Sequence, residues 1–174
     1  YKRQIQCFWV GHVHTVHTKI IDFLEAVNQV FTIDVPCTND ELQKTADDWM
    51  QKSTAHDIFK GCVGAIDGWL CCINAPNVPN KVHCFSGHHF RHGVNVQAVV
   101  DANLRFIYFG VIGPGRMGDA RAYNNCIHFR TWLDNLPENY FIIGDNAYPL
   151  SDKILIPFSG FRKHKKWNRS YNCH

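Results

Sequence analysis

From about His12 to Phe31, apolar side chains recur at helical spacing: Val16, Ile20, Ile21, Phe23, Leu24, Val27, Val30 and Phe31. That pattern predicts one amphipathic helix, broken by Val35-Pro36-Cys37. Thr38-Asn39-Asp40-Glu41 then carries a capping-box arrangement, so a second helix is expected to start there and run to about Lys52. Residues 53–60 form a linker.

Beyond Lys60 the pattern changes from helical to strand-like. Strands are predicted over Cys62–Ile73, Val94–Asp101 and Phe106–Ile112, with Ala102-Asn103-Leu104-Arg105 as the tight turn of a hairpin. Gly113-Pro114-Gly115 ends the third strand. Asp119 is placed to cap a helix over Ala120–Leu133. Phe141-Ile142-Ile143-Gly144-Asp145 reads as a fourth strand, apolar enough to be buried on both faces. Asn77–Arg91 is an irregular, polar, His-rich loop. No internal repeat or low-complexity tract is present.

The expected fold class is therefore α/β. The order β-β-β-α-β resembles the start of an RNase H-like mixed sheet, here with a helical N-terminal lead-in. The expected division is a lead-in over 1–60, the possible end of a DNA-binding helical region, and a catalytic core over 61–174. In an RNase H-like sheet the first and fourth strands are neighbours. Asp67, in Ala65-Ile66-Asp67-Gly68, and Asp145, in Ile143-Gly144-Asp145-Asn146, follow apolar runs on those two strands. Carboxylates presented in this way bind hard divalent cations through oxygen. Such paired cations promote in-line displacement at phosphorus.

The bulk properties narrow the reading without deciding it. At 174 residues the chain is long enough for a domain with its own core. A formal charge of +3 with eleven histidines is mildly basic and compatible with a nucleic-acid partner. No apolar run approaches the roughly 20 residues of a membrane span, so no membrane partner is expected. The chain starts without a secretory segment or an initiator Met, and it reads as a fragment of a longer protein. Eight cysteines include no Cys-x-x-Cys pair, and they are expected to be reduced thiols.

Four segments in order, residues 61–68, 93–101, 114–123 and 144–150, resemble the PIF/Harbinger group of DDE transposases and their domesticated nuclease relatives. They read GCVGAIDG, GVNVQAVVD, PGRMGDARAY and GDNAYPL. Leu155-Ile156-Pro157-Phe158-Ser159-Gly160 also fits. The resemblance implies a DDE endonuclease that cuts DNA and transfers strands with Mg²⁺ or Mn²⁺. It implies that Asp67, Asp119 and Asp145 are catalytic, metal-binding or near-metal carboxylates. A glutamate is also implied, roughly 35 residues after Asp145 to complete a two-metal site, which lies past His174. Asp152 is the only acid after Asp145, so the site is expected to be incomplete in this chain. The implied partners are transposon ends and target DNA, a Myb-like accessory protein and further copies of the chain. The implied location is the nucleus.

Two departures mark this chain. Trp69-Leu70 stands where many relatives have Thr-His after Asp-Gly. His88-His89-Phe90-Arg91-His92 stands where relatives often carry an Arg-Lys pair. Arg91 and the run Arg162, Lys163, Lys165 and Lys166 are the candidate phosphate contacts. Two readings compete with an active enzyme. One is a decayed or domesticated derivative that binds DNA or protein. The other is a zinc-stabilised interaction module built on Cys84, His88 and His92 at helical spacing.

Overall fold

The structure, a computed structural model, describes residues 13–30, 32–53 and 58–158. The chain forms two compact units, Tyr1–Thr32 and Ile33–His174. The first contains α1 (Val13–Val30), the expected amphipathic helix, with Lys19 paired to Asp22 on its surface.

The second unit is a mixed α/β body. Its first helix, α2 (Asn39–Lys52), begins where the capping box predicts. Thr38 Oγ1 accepts from the Glu41 N–H, and the Glu41 carboxylate accepts from the Thr38 and Cys37 N–H groups. Leu42 and Ala46 on this helix enter the main core beside Val63 and Ile66. The helix that the sequence groups with the lead-in thus packs within the sheet-bearing unit.

The strands are β1 (Cys62–Cys72), β2 (Phe85–Ser86), β3 (Arg91–Val100), β4 (Phe106–Pro114), β5 (Phe141–Ile143) and β6 (Ile154–Leu155). Helices α3 (Asp119–Asn125) and α4 (Ile127–Asp134) lie between β4 and β5. The sheet runs β4-β3-β1-β5-β6, with β2 pairing the start of β3. Pairing is antiparallel from β4 through β3 to β1, and parallel from β1 through β5 to β6.

The β3–β4 turn is organised by one carboxylate. Asp101 Oδ1 accepts from the N–H groups of Asn103 and Arg105, at 2.8 and 2.9 Å, which lets Leu104 adopt a φ of 60°. The core comprises Val63, Ile66, Val99, Ile107, Phe129, Leu133, Ile142 and Ile154 with their neighbours. Burial of side chains this large supplies most of the drive to fold, about 1.5–3 kcal/mol for each Val, Leu, Ile or Phe.

Several expectations are corrected. The predicted helix Ala120–Leu133 is two helices, because the backbone turns at Cys126, where ψ is 61°. The predicted loop Asn77–Arg91 contains a 3₁₀ turn (Lys81–Cys84) and the β2–β3 hairpin. The fourth strand stops at Ile143, so Asp145 lies in the turn beyond it. A fifth sheet partner, β6, follows without having been expected. The six cysteines among the described residues are all free, and burial pushes the Cys62 thiol up to about 12. Among the described residues no helix is long and apolar enough to cross a membrane.

Candidate active site

Asp67 sits mid-strand on β1, paired with Ala98, and Gly68 pairs with Gln97. The parallel rung Ala65–Ile143 brings together Asp67, two residues further along β1, and Asp145, two residues past the end of β5. Asp145 is held by its own turn, with Oδ1 accepting from the Ala147 N–H at 2.9 Å. Asp67 Oδ1 accepts from the Gly68 N–H at 2.8 Å. Both side chains are exposed, and both line one cavity of about 440 Å³ together with Asp119.

Asp119 reaches this cavity by a route that the sequence does not show. The expectation was that it caps the following helix. Instead Gly118 holds the cap position, no side chain caps α3, and Asp119 is its first helical residue. The carboxylate turns onto β3, where Oδ1 accepts from Asn95 Nδ2 and from Gln97 Nε2, both at 3.0 Å. Gln97 also donates to Asn95 Oδ1 at 2.9 Å, and Asn95 donates to the Met117 carbonyl at 3.0 Å. Tyr148 completes the network by donating its hydroxyl to Gln97 Oε1 at 2.7 Å.

Gln97 is fully buried, and Asn95 and Tyr148 are nearly so. A buried amide is tolerated only when its donors and acceptors are met, and here all are. Burial, then the charges of Asp119, Asp67 and Asp145, make the Tyr148 hydroxyl much harder to ionise. One phenol therefore feels all three carboxylates. Among the described residues the only ion pairs are Lys19–Asp22 and Arg105–Asp101, so none of the described basic side chains forms an ion pair with the three.

Asn95, Gln97 and Tyr148 were missed as site residues. The signal was present, since two amides alternate with Val94, Val96 and Ala98 in an otherwise apolar strand. That spacing puts them on one face.

Among the described residues no three His, Cys, Asp or Glu side chains are gathered closely enough to hold a metal ion by themselves. For Cys84, His88 and His92 the helical premise also fails, since they lie on a 3₁₀ turn, a hairpin turn and a strand. The aspartates offer hard oxygen donors and form no ion pair among the described residues. They fit magnesium, which is held by one or two carboxylates and completes its shell with water and substrate phosphate.

Arg91 lies at the exposed start of β3, paired with Ser86, and does not line the cavity. Arg162, Lys163, Lys165 and Lys166 lie outside the described residues. His88, His89, Arg116 and Trp69 do line the cavity.

A mixed sheet that brings three carboxylates to one cavity defines an α/β protein with an acidic cleft. The chain belongs to the DDE superfamily endonucleases, a transposase-like class of nucleases, whose family pattern it matches over residues 66–172. That span includes Asp67, Asp119 and Asp145. No curated protein and no solved structure matches the chain.

Proposed function

We propose that the chain supplies part of the catalytic core of a PIF/Harbinger-type transposase, an enzyme class that cleaves phosphodiester bonds in DNA and joins the freed 3′-hydroxyl to a target strand. The observation that carries this reading is the convergence of Asp67, Asp119 and Asp145 on one cavity with no basic partner among the described residues. The sheet order β4-β3-β1-β5-β6, antiparallel then parallel at β1, supports an RNase H-like fold.

In this reading Asp67 and Asp145 hold Mg²⁺ or Mn²⁺, with Asp119 as a third carboxylate. The chemistry such cations supply when bound is charge neutralisation on the phosphoryl oxygens and activation of the attacking oxygen. The protein's own part is orientation. Asn95 and Gln97 fix one oxygen of Asp119, and the Ala147 N–H fixes one oxygen of Asp145. The second oxygen of each has no partner among the described residues. The same family resemblance gives the rest of the proposal: action in the nucleus, on transposon ends and target DNA, as an oligomer with a Myb-like accessory protein. Arg91 and the basic run from Arg162 to Lys166 would hold flanking phosphates.

Calorimetric titration of the chain with Mn²⁺ tests this. Asp67→Ala and Asp145→Ala should each lower cation affinity by roughly tenfold or more. Unchanged Mn²⁺ affinity in Asp67→Ala would sink the reading.

A further inference from the structure

The cavity has a second kind of lining that the carboxylates do not explain. His88 and His89 lie in the β2–β3 turn, which the sequence presents only as a polar loop. The turn is fixed by the His89 N–H donating to Ser86 Oγ at 3.3 Å and by Phe90 at a φ of 53°. The two imidazoles meet nearly at right angles, their centroids 4.7 Å apart, with His88 Nδ1 and His89 Nε2 at 3.5 Å.

Arg116 comes to the same cavity on the loop after β4. Its N–H donates to the His83 carbonyl at 3.0 Å, and the Gly115 N–H donates to the Gly93 carbonyl at 2.9 Å. Any side chain on Gly115 would press on the Cys84 and Gly93 carbonyls and on Leu70, so the loop is docked tightly against the 3₁₀ turn and β3. Arg116 and the histidine pair are therefore carried by elements that are anchored to one another.

Groups able to carry positive charge thus share one cavity with three carboxylates, yet no ion pair spans it among the described residues. Opposite charges left unpaired around a common space suit a ligand that satisfies both. A phosphodiester does so, because its anionic oxygens accept from imidazole and guanidinium while a cation bridges them to carboxylates.

We infer that His88, His89 and Arg116 form a phosphate seat in the cleft, holding a phosphodiester of DNA beside the three aspartates. This rests on the cleft being the cleavage site proposed above. Two imidazoles set nearly at right angles and a guanidinium on an anchored loop offer several N–H donors to the anionic oxygens of one phosphodiester. The groups near the pair are His83 and Cys84 on the 3₁₀ turn, Arg91 and His92 on β3, and Arg116 on its loop. The three aspartates face it from β1, α3 and the turn after β5.

The experiment is fluorescence anisotropy of a labelled nicked duplex with the full chain, over a series of salt concentrations, with and without calcium. His88→Gln/His89→Gln should weaken binding by roughly threefold to tenfold. His83→Gln/His92→Gln should bind as wild type does. Arg116→Gln should weaken binding and lower the slope of log affinity on log salt by about one. Wild-type affinity in both His88→Gln/His89→Gln and Arg116→Gln would overturn the seat while leaving the cleavage reading intact. Asp67→Asn separates the two, since it should lose the gain in affinity on adding calcium and keep the loss caused by His88→Gln/His89→Gln. An unchanged calcium gain in Asp67→Asn overturns the cleavage reading and, with it, the seat.

Discussion

The carboxylate of Asp119 lies against the bare backbone of Gly68, where any side chain would collide with Asp119 Oδ1 and with Gln97 Nε2. The glycine after Asp67 is therefore needed for what it lacks. Its missing Cβ is the space into which α3 delivers a carboxylate beside the first-strand aspartate.

Gly68→Ala should push Asp119 and Gln97 off their bonds. Overpacking at a filled site costs about 1–3 kcal/mol. The expected outcome is a lower midpoint in denaturant unfolding together with weaker Mn²⁺ binding. Wild-type stability and wild-type cation affinity in this variant would show that the contact relaxes freely.

Gln97 and Tyr148 should behave as a coupled pair. Gln97→Met strands the Tyr148 hydroxyl in a buried site, and Tyr148→Phe strands Gln97 Oε1. Each should cost about 1–3 kcal/mol, the penalty for a buried polar group left unmet. The double variant removes both orphans, so its loss should fall short of the sum by at least about 0.5 kcal/mol. Strict additivity in a denaturant double-mutant cycle would remove the bond from the account.

Asp101 gives a pH dependence whose sign is fixed. Burial pushes its carboxyl up, but the Arg105 N–H, the Arg105 guanidinium and the Asn103 N–H together outweigh that and hold it below the ordinary carboxylate range. A folded-state value below the unfolded one means that this stability is present above the unfolded carboxylate pKa, about 3.9, and is lost as pH falls through the folded value. Thermal unfolding of wild type and Asp101→Asn should therefore differ most near neutrality and converge in strong acid. A gap that persists unchanged in acid would contradict this.

Much of the frame was legible because its signals are local. Thr38 and Glu41 are three residues apart, so the capping box could be read directly. The long strands β1, β3 and β4 show apolar patterning over enough positions to be recognised. What was missed depends on distant partners. The strands β2 and β6 have two residues each and exist through their pairing with β3 and β5. The break at Cys126 has neither Gly nor Pro to announce it. Asp119 was read as a cap because the following helix is its nearest neighbour in sequence, whereas its actual partners, Asn95 and Gln97, lie on β3.

That misreading makes Asp119 a position where structure and chemistry can be separated. A cap would be indifferent between Asp and Asn. The observed bonds make a different prediction. Asp119→Asn can keep an oxygen accepting from Asn95 and Gln97, so its unfolding midpoint should stay near that of wild type, while loss of the charge lowers Mn²⁺ affinity. Asp119→Ala removes the acceptor as well and leaves two buried amide donors short of a partner, which should cost about 1–3 kcal/mol in addition. Denaturant unfolding and Mn²⁺ titration on both variants read the two effects independently. If Asp119→Asn binds Mn²⁺ as wild type does, Asp119 only braces β3 and Gly68, and the cation is left to Asp67 and Asp145. If Asp119→Ala is as stable as wild type, the hydrogen bonds that place the carboxylate carry no net stability.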